Sequence, residues 1–436
     1  MLEKPLSKYE DWYLSTRYPF GGQPLVSLFD STRLHSFYAS PHGSYGYSDS
    51  TSYSNRLEMG LRVYGNVKQN LTFYSHGRIF GDWTGEKQYD HQFDPDFGET
   101  CSAEIGADGE MSTSRTCNRF EHYIIVDFPW LSLKLGRDHV HMGPGYFSSL
   151  TATRNTPPYY LMEGRIDFAD WLSLDNYFLK MTDSDHSIRK YMHIHRFEFK
   201  GFKSLSLAFQ DVVIYQERDI DWKYILPLTP FAFSEDNTGG RDNDAMSFDF
   251  LYAGLPFVSV WGEVFIDDLL GPGTFFDDFW ENRWALLGGF QVVSPWESFD
   301  ADLVMEYSRV EPWNYNGRQS YTSFRHFNVP SASKLGPDSR SVNIQLSYRP
   351  LNWLQIREHL EFNAKGTDRG SNLGTIHDDD IDGKTKVFLE NGRSNNFLTH
   401  AVQAFYNRYF TCEIFYRQTF TSLPEDAFGV SGMLSW

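Results

Sequence analysis

The feature that most limits what this chain can fold into is a two-residue alternation of apolar and polar side chains, repeated along most of its length. In Ser341-Val342-Asn343-Ile344-Gln345-Leu346-Ser347-Tyr348, the residues Val342, Ile344, Leu346 and Tyr348 share one face of an extended strand, and Asn343, Gln345 and Ser347 share the other. Leu57 to Tyr64 alternates in the same way, as do Asp300, Asp302 and Glu306 against Ala301, Leu303, Met305 and Tyr307. No stretch approaches the roughly 20 continuous apolar residues of a membrane helix. Half-buried sandwich strands also alternate. Two all-β classes therefore fit: a soluble sheet protein, or an antiparallel barrel whose apolar face meets lipid around a polar interior.

Loop lengths separate them. Tight turns fall at Phe128-Pro129-Trp130, Gly201-Phe202-Lys203, Gly254-Leu255-Pro256, Pro295-Trp296-Glu297, Arg349-Pro350-Leu351 and Tyr409. Between them lie long polar loops at about 81–117, 138–157, 217–244, 268–282, 312–339 and 365–394. Short turns alternating with long loops are expected of a transmembrane outer-membrane barrel, here of about eighteen strands with both termini periplasmic. Composition agrees: aromatics are 17% of the chain, more than one soluble core absorbs, yet the mean hydropathy is −0.47. The last strand places Phe428, Val430, Leu434 and the terminal Trp436 on one face, which resembles the C-terminal signature read by the barrel assembly machinery of the outer membrane. Residues 1–30 show no alternation and are expected to form an N-terminal periplasmic segment, with residues 31–436 as the barrel. The opening MLEKPLSKYEDW contains no apolar signal-peptide core, so an exported chain would carry this as its mature start.

The net charge of −18 excludes a nucleic-acid partner, which needs basic patches. Cys101 and Cys117 share one polar loop, and a bridge there would close about 15 residues, worth about 3 kcal/mol in the chain-entropy model. Such a bridge implies an oxidising compartment. Cys412 reads as a small hydrophobe on a strand.

The loop between two strand patterns from Leu135 to Phe168 stands apart. Gly143-Pro144-Gly145 cannot continue a ladder, and Pro157-Pro158 closes the segment as a stiff extended turn. His139, His141, Arg154 and Asn155 lie between these breakers. A long pinned loop on a regular scaffold is a usual seat of function, and here it is expected to fold into the lumen and obstruct it. Gly136-Arg137, Gly143-Pro144-Gly145, Ser149-Leu150, Asn155 and Pro157-Pro158, in that order, resemble a segment of the Wzi-type capsule assembly family. His195-Arg196-Phe197-Glu198, Val213-Ile214-Tyr215 and Phe265-Ile266-Asp267-Asp268 follow in the family's order. The resemblance covers most of the chain from about Leu57. It implies an eighteen-stranded outer-membrane barrel that binds capsular or other surface polysaccharide and retains it at the cell surface, without catalysis. His141-Met142 departs from the family where an aromatic precedes the Gly-Pro-Gly, and Arg154 departs where a small residue is usual.

Sugar recognition needs aromatic faces and bidentate polar side chains in a concave site. Arg137, His139, His141, Arg154 and Asn155 of the pinned loop, with Trp313, Tyr315 and Arg318, are the candidate ligand-binding residues. Trp83, Tyr89, His91, Trp280, Asn282 and Arg283 offer similar chemistry. Any such aromatic near a strand end could instead belong to the interfacial girdle of a barrel. His193 and His195, at i and i+2, are expected on the lumen face with Phe197. Asp378, Asp380 and Asp382 before Gly383 match the start of a calcium loop, but Leu389 stands where the closing Glu would be. A Ca²⁺ clip in that outer loop is the one cofactor suggested. Ser40-Pro41-His42-Gly43-Ser44 is the only Ser/His cluster to weigh for hydrolysis, and its Pro and Gly read as loop. The expected partners are surface polysaccharide and outer-membrane lipid, with a periplasmic or outer-membrane protein as a further candidate. The competing readings are a porin or transport channel, and a barrel that anchors a secretion or surface-protein complex.

Overall fold

The computed structural model describes residues 26–435 apart from 30–34, 50–53, 69, 85–91, 95–98, 104–113, 183–188, 226–230, 232–241, 270, 295–298, 318, 328, 376–384, 407–409 and 421–426. One antiparallel sheet of twenty-one strands dominates, and eighteen of them form a closed ring. In chain order these are β1 (His35–Asp49), β2 (Ser54–Val67), β3 (Leu71–Thr84), β4 (Ser114–Phe128), β5 (Leu131–Asp138) and β6 (Tyr159–Ala169). Then come β7 (Leu172–Met181), β8 (Lys190–Phe202), β9 (Leu205–Gln216), β10 (Asn243–Leu255), β11 (Val258–Asp268) and β12 (Arg283–Val292). The ring ends with β13 (Ala301–Val310), β14 (Ser339–Leu351), β15 (Leu354–Lys365), β16 (Arg393–Tyr406), β17 (Phe410–Phe420) and β18 (Ala427–Ser435). β1 pairs with β2 on one edge and β18 on the other, which closes the barrel.

The seam refines two expectations. Val26–Phe29 pairs with Ser36–Ala39 of β1, so the sheet begins inside the stretch assigned to the N-terminal segment. Ser40 to Ser44 is continuous strand rather than loop. Pro41 falls where β1 exchanges Val26–Phe29 for β18 as its edge partner, a position at which a residue without an N–H is tolerated in a sheet.

Burial along the strands is the reverse of a soluble protein's. On β10, Met246, Phe248 and Phe250 are 37%, 47% and 39% exposed, while Ser247 and Asp249 between them are at most 7% exposed. The apolar face therefore looks outward into lipid and the polar face inward. At the short-turn rim Phe128, Trp130, Phe168, Trp171, Phe202 and Phe257 are all exposed, as the aromatic girdle of a membrane barrel requires. The interior is packed rather than open. Val140, Met142, Leu150 and Ala152 from the loop after β5 form one core with Met192, Ile194, Trp261 and Phe265 of the wall.

One flank is buried on both sides. Gln210 to Gln216 of β9 are buried without interruption, since Val212 and Ile214 join the lumen core and Val213 and Tyr215 a second, outer one. His193 and His195 belong to that outer side. On β8 the inward residues are Lys190, Met192 and Ile194, so alternation turns both histidines outward. The expected lumen pair is thus an outer-wall pair, a reversal that follows from a one-residue difference in register.

Cys117 is disulfide-bonded, and Cys101 lies opposite it in register on the short strand Glu99–Ala103. Cys412 is free.

Candidate functional site

The segment from His139 to Pro158 enters the lumen and is held at mid-barrel depth by two carboxylates of the wall. Glu306, midway along β13, accepts the main-chain N–H groups of Tyr146 (2.6 Å), Phe147 (3.1 Å) and Ser148 (2.9 Å), and the indole N–H of Trp261 (3.0 Å). Glu263, midway along β11, accepts the N–H of Leu150 (3.1 Å) and the hydroxyls of Thr151 (3.0 Å) and Ser247 (3.1 Å). Both carboxyls are buried. A buried carboxylate is tolerated only when its oxygens are saturated with donors, and here the plug's own main chain supplies them.

The Gly-Pro-Gly explains how the backbone comes close enough. Gly143 has φ of 92°, in the left-handed region, and a Cβ there would stand 2.7 Å from a Glu263 carboxylate oxygen. Glycine meets both demands at once. Across the segment's base, the Met142 N–H donates to the Ala152 carbonyl (2.9 Å), and the Ser149 hydroxyl donates to the Met142 carbonyl.

A second infolded segment, residues 311–338, locks the first. The Tyr315 hydroxyl donates to the Leu150 carbonyl (3.0 Å), its N–H donates to Asp267 (2.9 Å), and the Thr153 N–H donates to the Ser331 carbonyl (2.9 Å). The fully buried Lys190 ammonium donates to the carbonyls of Ser323 (2.7 Å) and Arg325 (2.9 Å). His326, on the small hairpin Arg325–His326/Val329–Pro330, stacks on Tyr159 with ring centroids 4.2 Å apart, and its Nδ1 accepts the Thr182 N–H at 3.0 Å. Burial pulls the His326 imidazole down to about 3, so it is neutral, as an Nδ1 acceptor must be.

The sequence candidates separate sharply. Arg154 and Asn155 are exposed, flanked by buried Thr153 and Thr156, and are the polar groups that the plug presents to water. His141 donates from Nε2 to the Gly145 carbonyl (2.9 Å); burial, and then the nearby Arg154 charge, pull it down to about 4. His139 is held within the wall, 3.4 Å from Glu121 and beside Arg119. Arg137 lies on the outer side of β5, over the ring of the exposed Tyr160 at 5.5 Å, and does not join the lumen groups. Trp313 and Tyr315 are not loop-tip platforms: they are 6% and 0% exposed, and both adopt φ of 69° inside the second plug segment. Trp280, Asn282 and Arg283 are buried as well. The long loop that holds Trp313 and Tyr315 was legible in the sequence, but it folds inward. Arg318, Tyr89, His91 and the three aspartates Asp378, Asp380 and Asp382 lie outside the described residues. Among the described residues no group of His, Cys, Asp and Glu is arranged to hold a metal.

Glu263 and Glu306 are the residues that sequence reasoning missed. The signal was present: Glu263 shares its strand face with Trp261 and Phe265, and a lone carboxylate between large apolar side chains on a lumen face calls for a dedicated set of donors.

A closed antiparallel ring, apolar outside and filled inside by its own loops, defines an occluded β-barrel of the outer membrane. The family model for the capsule assembly protein Wzi matches residues 42–410, and the chain belongs to that family. Among solved structures it is similar to Wzi of Escherichia coli, described as an outer membrane protein involved in group 1 capsule assembly and a carbohydrate-binding β-barrel. That similarity has a TM-score of 0.59 at 14% identity and covers 91% of this chain and 84% of that one. OccK5 (OpdH) of Pseudomonas aeruginosa follows at TM-score 0.50 and 9% identity, covering 92% and 97% of the two chains. OccK7 (OpdD) of the same organism scores 0.50 at 10% identity, covering 92% and 98%. No curated protein sequence matches the chain.

Proposed function

We propose that this barrel binds a surface polysaccharide at its plugged lumen and retains it at the cell surface as part of capsule assembly, without covalent chemistry. The observation that carries this reading is the plug, which is built for permanence. Two wall carboxylates take seven donors between them, four of these main-chain amides of one loop. A pore that must pass solutes has no use for such an arrangement, whereas a receptor needs a rigid floor. Family membership points the same way. Arg154 and Asn155 supply a cation and an amide that can engage sugar carboxylates and hydroxyls.

The test is binding of the host's own surface polysaccharide to folded, detergent-solubilised protein, alongside planar-bilayer conductance. The expected result is saturable binding with a nearly silent bilayer, and Arg154→Ala weakening binding about tenfold, the loss of one charge-assisted contact, with the barrel still assembled. Steady conductance without polysaccharide binding would establish the channel reading instead.

A further inference from the structure

On the outer wall of β7–β9 one row of register partners is polar where the row on its short-turn side is apolar. Asn176, His195 and Asp211 are register partners on three adjacent strands, and the same row continues into the apolar Met246 on β10. The row below is apolar throughout: Leu174, Phe197, Phe209 and Phe248. Bare polar groups at that height would meet acyl chains at a cost of a few kcal/mol each.

They are not bare. The segment after β9, residues 217–225 together with Phe231, turns down over the outside of the barrel and meets every member of the row. The Asn176 amide donates to the Ile225 carbonyl (2.6 Å), Asp211 accepts the Phe231 N–H (2.7 Å), and the Phe231 ring lies 4.3 Å from the His195 ring. One row higher, His193 bonds the Tyr215 hydroxyl (3.2 Å), which accepts the Asp221 N–H (3.1 Å). Tyr224, fully buried, packs between Tyr215 and Phe231. Arg218 covers Tyr215 and is held by Asp242. The polar row and this strap are made for each other.

The strap's exposed residues mix large apolar groups with charge: Trp222 is 72% exposed and Ile220 39%, beside the exposed Glu217 and the Asp219–Arg189 ion pair. On the short-turn side of the covered row the same wall carries Phe197, Phe199, Leu207 and Phe209. An indole held outward at the upper edge of an acyl-facing wall suits the boundary between headgroups and acyl chains.

We propose that residues 217–225 with Phe231 form an interfacial anchor lying in the lipid leaflet on the long-loop side, with Trp222 and Ile220 inserted at the headgroup–acyl boundary. An anchor on one flank only would then orient the barrel in the bilayer.

The test places a fluorophore at the strap. Trp222→Cys in a Cys412→Ser background, labelled with an environment-sensitive probe, is reconstituted into phosphatidylcholine vesicles with iodide on both sides or with brominated lipids. Barrel assembly is verified by heat-modifiable migration. Quenching is expected from lipids brominated near the carboxyl end, about twofold stronger than from lipids brominated near the chain terminus, with little quenching by iodide. Strong iodide quenching without lipid quenching would put Trp222 in water and overturn the anchor. Protection from both quenchers would also overturn it, indicating a second protein chain on this face. Neither result bears on polysaccharide binding, which is measured separately at Arg154.

Discussion

Two segments of this chain leave the ring of strands and fold back on it, one inside and one outside. The plug from His139 to Pro158 fills the lumen, where each main-chain amide it buries must find an acceptor, and the wall answers with Glu263 and Glu306. The strap after β9 lies on the outer wall, where aromatic faces form the packing and the wall contributes Asn176, Asp211 and two histidines. The difference follows from the two media. A lumen segment is surrounded by polar wall and can be held by carboxylates, whereas the outer strap exposes Trp222 and Ile220 beside charged residues, a mixture that suits the boundary between headgroups and acyl chains. Residues on a single strand, β9, serve both: Val212 and Ile214 the plug, Val213 and Tyr215 the strap.

Substitutions can break either half of that comparison. Glu306→Ala leaves four N–H donors without their acceptor, at about 1–3 kcal/mol each if they stay buried, so the plug is expected to release while the ring assembles. Planar-bilayer conductance should rise from near silence to steady current; an unchanged trace would mean that the second infolded segment blocks the lumen alone. Acid is expected to act on the same side of the wall. His326 sits at about 3 when folded, against about 6.5 when unfolded. The unfolded form therefore takes up a proton first as pH falls. The hairpin's stability is full above about 6.5 and drains as pH drops toward 3. Hydrogen exchange of residues 325–330 should accelerate across that window in the native protein, and His326→Phe should flatten the pH dependence.

Tyr224→Ala empties a fully buried aromatic site in the strap, worth about 3 kcal/mol. The sharp expectation is that proteolytic cleavage near residue 225 increases while conductance stays silent, because the strap is outside the lumen. A conductance change would show that the two segments are coupled through β9. The smallest effect belongs to Gly143→Ala, where a left-handed backbone and the nearby Glu263 carboxylate resist a methyl at about 1–2 kcal/mol. A modest loss of thermal stability without channel opening is expected, read by the temperature at which heat-modifiable migration converts.

Much of the barrel was legible in the sequence because the signal is local. Alternation needs only neighbouring residues, and turn chemistry at Pro129 or Pro256 is equally short-range. The break at Gly143-Pro144-Gly145 was legible for the same reason, although the same chemistry misread Pro41 and Gly43, which lie inside β1. Register was harder. His193 and His195 were expected inside, and a shift of one residue put them outside, a choice that depends on which face of β8 meets Lys190's carbonyl partners 133 and 135 residues away. Trp313 and Tyr315 show the same limit: their long loop was apparent, but its inward direction rests on Asp267 and Leu150, which are distant in sequence.

The amino-acid order alone determined that this chain makes an amphipathic ring of strands with its apolar side in lipid, because a period of two residues marks strands and the alternation of short turns with long loops separates a barrel from a sandwich. Only the tertiary structure decided that residues 311–338 also go into the lumen and that the segment after β9 lies against the outer wall. That choice rests on where Glu263, Glu306, Asn176 and Asp211 come to stand once the ring has closed, and closure joins β1 to a partner nearly 400 residues further along the chain, Ser435 opposite His42.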